Sequence, residues 1–368
     1  MPALHQATIT EVRCRAYTIP TDLPEADGTF AWNSTTLIVV EVDACNATGL
    51  GYTYSDASAA KLVGDTIAPG VVQEDCWNIE MLWQKMRRRL RNAGRAGLVA
   101  TAISAVDCAL WDLKAKLLNV PLVSLLGAAR PSVPIYGSGG FTTYTETQTK
   151  EQLTRWVEHD GCRWVKIKIG SNPKEDPARV KSARDAIGAN TGLFVDANGA
   201  YVEKTALAYS HTFAEQGVAW FEEPVSSDDL AGLCSLRERV PAPMEIAAGE
   251  YGYTLDYFRR MLDARSVDVL QADVSRCGGV TGFMRVAALC DALHIPLSAH
   301  CAPALHLHVA SAVARLRHQE WFHDHVRIES MLFDGAPKPV NGEISPDLTR
   351  PGCGLEFKHA DAQRYCIG

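Results

Sequence analysis

No apolar stretch in these 368 residues approaches the roughly 18 needed to cross a bilayer. Met1 to Ile9 show no charged segment followed by an apolar one, the mark of a secretory leader. Membrane insertion and export are therefore not expected, and the expected compartment is the cytoplasm. The 11 cysteines are odd in number and include no C-x-x-C pair, which argues against a disulfide framework and against a zinc site. A broad basic face is also lacking. With a net charge of −7, nucleic acid is disfavoured as a main partner, because phosphate binding needs clustered positive charge. The one basic run, five arginines within Lys85–Arg95, reads as a solvated helix face or subunit contact rather than an anion site. Low-complexity tracts are missing too, and the 28 glycines and 18 prolines are spread through the chain.

What is present suits a soluble enzyme of one large and one smaller unit. Alternating residues predict antiparallel strands over Ile9–Tyr17 and Thr36–Val42. Between them, residues 19–34 read as a mobile functional loop carrying Phe30 and Trp32. Val99, Ile103, Val106, Leu110 and Leu113 recur at helical spacing within Leu98–Leu118. From about Pro131 the pattern becomes short apolar strands alternating with amphipathic helices. Eight strands are expected: Val133–Tyr136, Trp164–Ile169, Leu193–Asp196, Ala219–Glu222, Glu245–Ala248, Val267–Ala272, Ile295–Ala299 and one near Gln319–Phe322. Eight βα units in about 200 residues fit an α/β fold of the (β/α)8 TIM-barrel type better than a doubly wound sheet.

The strands end on residues that a buried parallel strand does not tolerate without reason. Lys166 and Lys168 fall on the second strand, Asp196 and Asn198 on the third, Glu222 on the fourth, and Glu250 on the fifth. Asp273, His300 and Glu320 follow on the sixth to eighth. Any one of these can be a helix cap or an ion-pair partner. Eight ionisable groups at the ends of seven successive strands are another matter, because the C-terminal strand ends of a barrel converge on one pocket. Asp196, Glu222 and Glu250, three carboxylates without His or Cys, suit a hard cation such as Mg²⁺. Lys166 and Lys168 leave the same strand face, so each is expected to disfavour protonation of the other and to yield a useful base. Asp273 can orient His300 from the adjacent strand. Glu223, beside Glu222, is expected to point away from the interior. His306, His308 and His325 read as surface or supporting groups.

Several motifs carry a resemblance. They are Lys166-Ile-Lys168-Ile-Gly, Val195-Asp196-Ala-Asn198, Phe221-Glu222-Glu-Pro, Gly249-Glu250, Gln271-Ala-Asp273 with Cys277-Gly-Gly-Val-Thr-Gly, and Ser298-Ala-His300, preceded by the alanine-rich helix from Ala102 to Lys116. The chain resembles the enolase superfamily, mandelate racemase subgroup, over nearly its whole length. The resemblance implies an N-terminal α+β capping domain (1–130), a modified (β/α)8 barrel (131–335) and a C-terminal segment (336–368) returning to the cap. It implies one Mg²⁺ per subunit on Asp196, Glu222 and Glu250, with Lys168 and the His300–Asp273 dyad as the two acid/bases. Lys166 then contacts the substrate carboxylate, and Glu320 hydrogen-bonds that carboxylate as the enediolate forms, a role His323 can share.

The expected reaction is abstraction of the proton next to a carboxylate. A sugar-acid dehydratase giving a 2-keto-3-deoxy acid is the first reading; a racemase or epimerase is the second, and a cycloisomerase a weaker third. A non-catalytic binding protein would be expected to have lost a ligand or base, and none is missing. Substrate-contacting candidates are Asn198, Trp32, Asn33, Tyr54 and His323, with Asp22, Glu25 and Asp27 as further polar groups of the 19–34 loop and Tyr52, Tyr54 and Ser55 as a second specificity loop. The expected partners are a small-molecule carboxylate and further copies of the chain in a homo-oligomer, dimer to octamer, with no nucleic acid and no membrane.

Overall fold

The computed structural model describes residues 6–367; Met1–His5, part of the segment read for a leader, and Gly368, the last residue of the C-terminal segment, lie outside them. The chain begins with an antiparallel sheet of β1 (Glu11–Ala26), β2 (Ala31–Ala44) and β3 (Ala47–Tyr54), in that order. Its apolar face lies on the helix Leu98–Leu117, most of whose residues are buried. The fit is close because Gly49 and Gly51 bring β3 against the helix backbone: a Cβ at either would overlap the carbonyl oxygen of Ala109 or Ala105.

Two expectations fail here. Residues 19–34 are not a loop, since β1 and β2 continue as a paired ribbon as far as Ala26↔Ala31. Proline confused the reading: Pro20 and Pro24 give no N–H to the ladder, so the register breaks between Pro20 and Glu25 and then resumes. The ribbon closes on Asp27, whose Oδ1 accepts from the backbone N–H of Thr29 (2.6 Å) and Phe30 (2.8 Å). Likewise Tyr52 and Tyr54 belong to strand β3 and are buried rather than set on a loop.

Eight further strands form a closed parallel barrel: β4 (Val133–Gly139), β5 (Trp164–Lys168), β6 (Gly192–Asp196), β7 (Val218–Glu222), β8 (Glu245–Ala248), β9 (Val269–Ala272), β10 (Leu297–Ala299) and β11 (Leu316–Phe322), with β11 pairing back onto β4. Closure leaves no free edge in the sheet. Period-two alternation sends Tyr136, Phe194, Trp220, Val269 and His318 inward, where they fill the lower barrel; Phe194 and Trp220 stack at 5.0 Å. The next inward position on each strand therefore stands above an aromatic floor.

The cap is bolted to the barrel by buried acids. Asp107 accepts from Thr281 N (2.9 Å) and Thr281 Oγ1 (2.7 Å), and Gly279 leaves the room it needs. Asp112 accepts from Leu50 N (2.8 Å) and Cys353 N (2.6 Å), joining β3 to the C-terminal stretch. That stretch runs on to β1, where Ile367 N donates to Ala16 O at 3.0 Å. Arg87 of the basic run and Arg285 both lie over the Trp83 ring, at 4.5 and 4.4 Å.

Candidate active site

The parallel register sets the site. Lys168 pairs with Asp196, and Asp196 with Glu222, so three adjacent strands end level with one another. Three of the ionisable residues are two positions beyond an aromatic of the floor: Lys166 after Trp164, Asp196 after Phe194, Glu222 after Trp220. Trp220 Nε1 donates to Glu222 Oε2 (2.9 Å) and fixes its carboxylate. Asp196, Glu222 and Glu250 each present a carboxylate oxygen within 4.8 Å of the others, and all three are buried.

Three buried acids at this spacing repel one another. Burial and Asp196 push Glu222 up to about 8 even though Lys166 opposes them. Among the described residues Glu250 Oε2 accepts no well-aligned hydrogen bond, with His300 Nε2 3.3 Å away. An oxygen-only donor set with an unsatisfied buried oxygen fits a hard divalent cation.

Both lysines lie against these acids. Lys166 Nζ is 2.5 Å from Glu222 and 2.7 Å from Glu320; Lys168 Nζ is 2.5 Å from Asp196 and 3.1 Å from Asn198 Oδ1. The expectation that the pair lowers its own pKa is not met in this arrangement. Burial does work against both ammonium groups, but Glu222 and Glu320 hold Lys166 well above its ordinary value, and Asp196 does the same for Lys168, outweighing the repulsion from Lys166.

On the opposite wall His300 Nδ1 lies 2.9 Å from Asp273 Oδ2, which leaves Nε2 turned to the interior, 3.3 Å from Glu250 Oε2. Glu320 accepts hydrogen bonds on both oxygens, from Ser138 Oγ (2.6 Å) and Cys301 N (3.0 Å). Burial opposes its ionisation, but Lys166 and His300 keep its carboxyl well below the usual range. It is therefore an acceptor here rather than a proton donor.

Of the peripheral candidates, Asn198 lines the mouth beside Lys168. Trp32 reaches inward, edge-on to Phe141 (5.6 Å) and in the apolar cluster that contains Cys301 and Phe322. Its indole donates to Glu25 Oε2 (2.8 Å); burial pushes Glu25 up to about 9, so this acid is neutral near pH 7. Asn33 is exposed, and strand alternation turns it to the face opposite Trp32, so it is not placed at the site. Asp27 is committed to its turn. His323 pairs with Asp22 (3.0 Å) at the rim. Tyr54 stacks on His325 (3.5 Å) and keeps a buried hydroxyl without a partner among the described residues.

Glu223 is a correction. It adopts φ +38°, which breaks the strand alternation; it is buried near Glu250 and Asp196, with Oε1 unpartnered among the described residues, and lines a cavity at the mouth with Asn198 and Tyr251. His306, His308 and His325 are buried, not superficial: His306 Nε2 accepts from Val274 N at 2.8 Å and so supports the segment after Asp273. Sequence reasoning also missed Ser138, Arg276 and Cys301. Ser138 was findable, two positions after inward-facing Tyr136. Arg276, 3.5 Å from Asp273 and 4.0 Å from Glu250, sits in a loop without periodicity.

Residues 9–127 match the mandelate racemase/muconate lactonizing enzyme N-terminal domain, and residues 148–362 match the enolase C-terminal domain-like model. The chain belongs to this family, within the enolase superfamily. It is 34% identical to a 3,6-anhydro-alpha-L-galactonate cycloisomerase of Streptomyces coelicolor, over 98% of this chain and 100% of that one. An arabinonate dehydratase of Saccharolobus solfataricus is 31% identical over 86% of this chain and 85% of its own length.

Among solved structures, a mandelate racemase/muconate lactonizing enzyme-like protein from Rubrobacter xylanophilus superposes with a TM-score of 0.95 at 48% identity, covering 98% of this chain and 100% of that one. A racemase from Streptomyces coelicolor with bound magnesium gives 0.92 at 33%, covering 98% and 100%. This member of the family is accordingly a Mg²⁺-dependent lyase or racemase.

Proposed function

We propose that the enzyme removes the proton on the carbon next to the carboxylate of a sugar acid and then expels the oxygen on the following carbon, giving a 2-keto-3-deoxy acid. The observation that carries this reading is the placement of two proton-transfer groups at the two ends of the acid trio: Lys168 against Asp196, and His300 against Glu250. Mg²⁺ held by Asp196, Glu222 and Glu250 supplies a Lewis acid for the substrate carboxylate and neutralises the three acids.

The chain's own residues do the rest. Lys166 holds the charge at the carboxylate as the enediolate forms, and Glu320, paired with it at 2.7 Å, keeps that ammonium in place. Lys168 or His300, whichever faces the C2 hydrogen, takes the proton. The other group protonates the oxygen departing from C3 as the C–O bond breaks, and the enol left behind becomes the ketone. Asp273 keeps His300 Nε2 as the reactive nitrogen. Asn198, Trp32, Tyr54 and His323 are the groups we assign to the substrate's remaining hydroxyls.

The relatives favour a second form of the same elimination. Cycloisomerase names occur alongside dehydratase names among them, and when the C3 oxygen belongs to an anhydro ring its departure opens the ring instead of releasing water. The test is a panel of aldonic, aldaric and 3,6-anhydro-galactonic acids with Mg²⁺ in D2O, followed by proton NMR. Formation of a 2-keto-3-deoxy acid supports elimination, and the substrate that yields it separates dehydration from ring opening. Exchange of the C2 proton with inversion and no ketone replaces the proposal with a racemase or epimerase.

A further inference from the structure

Neighbouring residues in extended chain point to opposite sides, so a residue next to His300 should leave the site. Cys301 does not, because it adopts φ +49° and Ala302 after it φ +39°. The turn brings Cys301 Sγ to 3.3 Å from His300 Nε2 and 3.4 Å from Glu320 Oε2, and those two atoms are 3.6 Å apart. Zinc bonds of about 2.0–2.3 Å to nitrogen, oxygen and sulfur place neighbouring ligands of a tetrahedron about 3.4–3.6 Å apart. The triangle of 3.3, 3.4 and 3.6 Å comes within about 0.3 Å of those dimensions.

One further feature supports the set. Asp273 holds His300 Nδ1 at 2.9 Å, the carboxylate–histidine support that orients an imidazole for a metal through Nε2. Sulfur and imidazole select against Mg²⁺, which keeps to oxygen, and in favour of zinc.

We propose that His300, Cys301 and Glu320 form a second, inhibitory metal site for a thiophilic divalent cation such as zinc, beside the three-acid Mg²⁺ site. On binding, the Cys301 thiol releases its proton to solvent and the thiolate, the His300 Nε2 lone pair and a Glu320 oxygen become ligands. The binding rests on this geometry alone; the inhibition rests on the proton-transfer role proposed above for His300. The missing C-x-x-C pattern excludes a zinc site local in sequence, but not one assembled by two strand ends.

The test uses the Mg²⁺-loaded, reduced enzyme titrated with cobalt as a coloured stand-in for zinc. A thiolate-to-cobalt charge-transfer band in the near ultraviolet is expected, saturating at one cobalt per chain, removed by one equivalent of zinc and absent from Cys301→Ser. Zinc should halt turnover of wild type at a concentration at least tenfold below that needed for Cys301→Ser, and excess Mg²⁺ should not relieve it. No band, or the same band in Cys301→Ser, overturns the site; equal zinc sensitivity relieved by Mg²⁺ shows zinc in the three-acid site and also overturns it. If no acid on the panel is turned over, the cobalt band still reads the metal site, so the two proposals fail separately.

Discussion

The barrel mouth and the β1–β2 ribbon above it show two ways of holding a side chain in place. At the mouth the ionisable groups stand at the ends of a parallel ladder, several of them two residues above an aromatic floor, and are tied to their neighbours by charge: Lys166 alone contacts Glu222 and Glu320 at 2.7 Å or less. In the ribbon the register slips around two prolines, and Trp32 is held by one hydrogen bond to a neutral Glu25 and by ring contacts. The first arrangement suits chemistry, where displacement of a group by an ångström is costly. The second suits recognition, where a family can change substrate by altering a few side chains while the reaction stays the same.

The comparison breaks most completely at the mouth. Lys168→Ala and His300→Asn should each lower turnover by at least about 10²–10⁴-fold, with the circular dichroism spectrum and Mg²⁺ affinity retained. C2 proton exchange in D2O should survive in whichever variant keeps the group facing that hydrogen. Full activity in both variants would remove the mechanism. Glu320→Gln, which keeps the shape but not the charge facing Lys166, should cost on the order of 100-fold in kcat with a small change in KM, as expected for a group that holds the ammonium which acts when charge develops.

Effects in the ribbon should be smaller and of another kind. Trp32→Ala should raise KM by about tenfold and widen the range of acids accepted, leaving kcat for the preferred acid within about threefold. Because burial keeps Glu25 protonated near pH 7, Glu25→Gln should be nearly silent and Glu25→Ala should resemble Trp32→Ala. A large kcat loss in Trp32→Ala with unchanged KM would place the indole in the chemistry and erase the distinction.

The same contrast explains what could be read from the sequence. The barrel is repetitive, and a buried parallel strand announces itself as an apolar run whose polar exception is conspicuous; hence Lys166, Lys168, Asp196, Glu222, Asp273 and His300 stood out. The misreadings lie where backbone conformation departs from period two. Glu223 and Cys301 turn inward through positive φ, which no alternation rule can foresee. The ribbon was mistaken for a loop because Pro20, Pro24 and Gly28 mimic loop composition although the pairing survives around them. Tyr52 and Tyr54, expected on a loop, lie in β3, where Gly49 and Gly51 lower strand propensity while permitting contact with the helix.

The smallest expected effect lies where the two regions meet, at Glu329. Its Oε1 accepts from Tyr52 Oη of the cap (2.6 Å) and its Oε2 from Ala304 N of the barrel (3.0 Å). Burial outweighs these bonds and pushes the carboxyl up to about 8. A folded-state value above the unfolded one means that the folded chain holds the proton more tightly, so this contribution to stability is complete below about pH 4.3 and lost as pH rises toward 8. Glu329→Gln keeps an acceptor for either neighbour and cannot ionise. Its midpoint of thermal unfolding should therefore depend less on pH between 5 and 8 than that of the wild type, with the two curves diverging at the upper end and the glutamine variant the more stable there. Parallel curves would mean that Glu329 is already ionised in the folded protein, and that the joint between ribbon sheet and barrel is held by a charged acceptor.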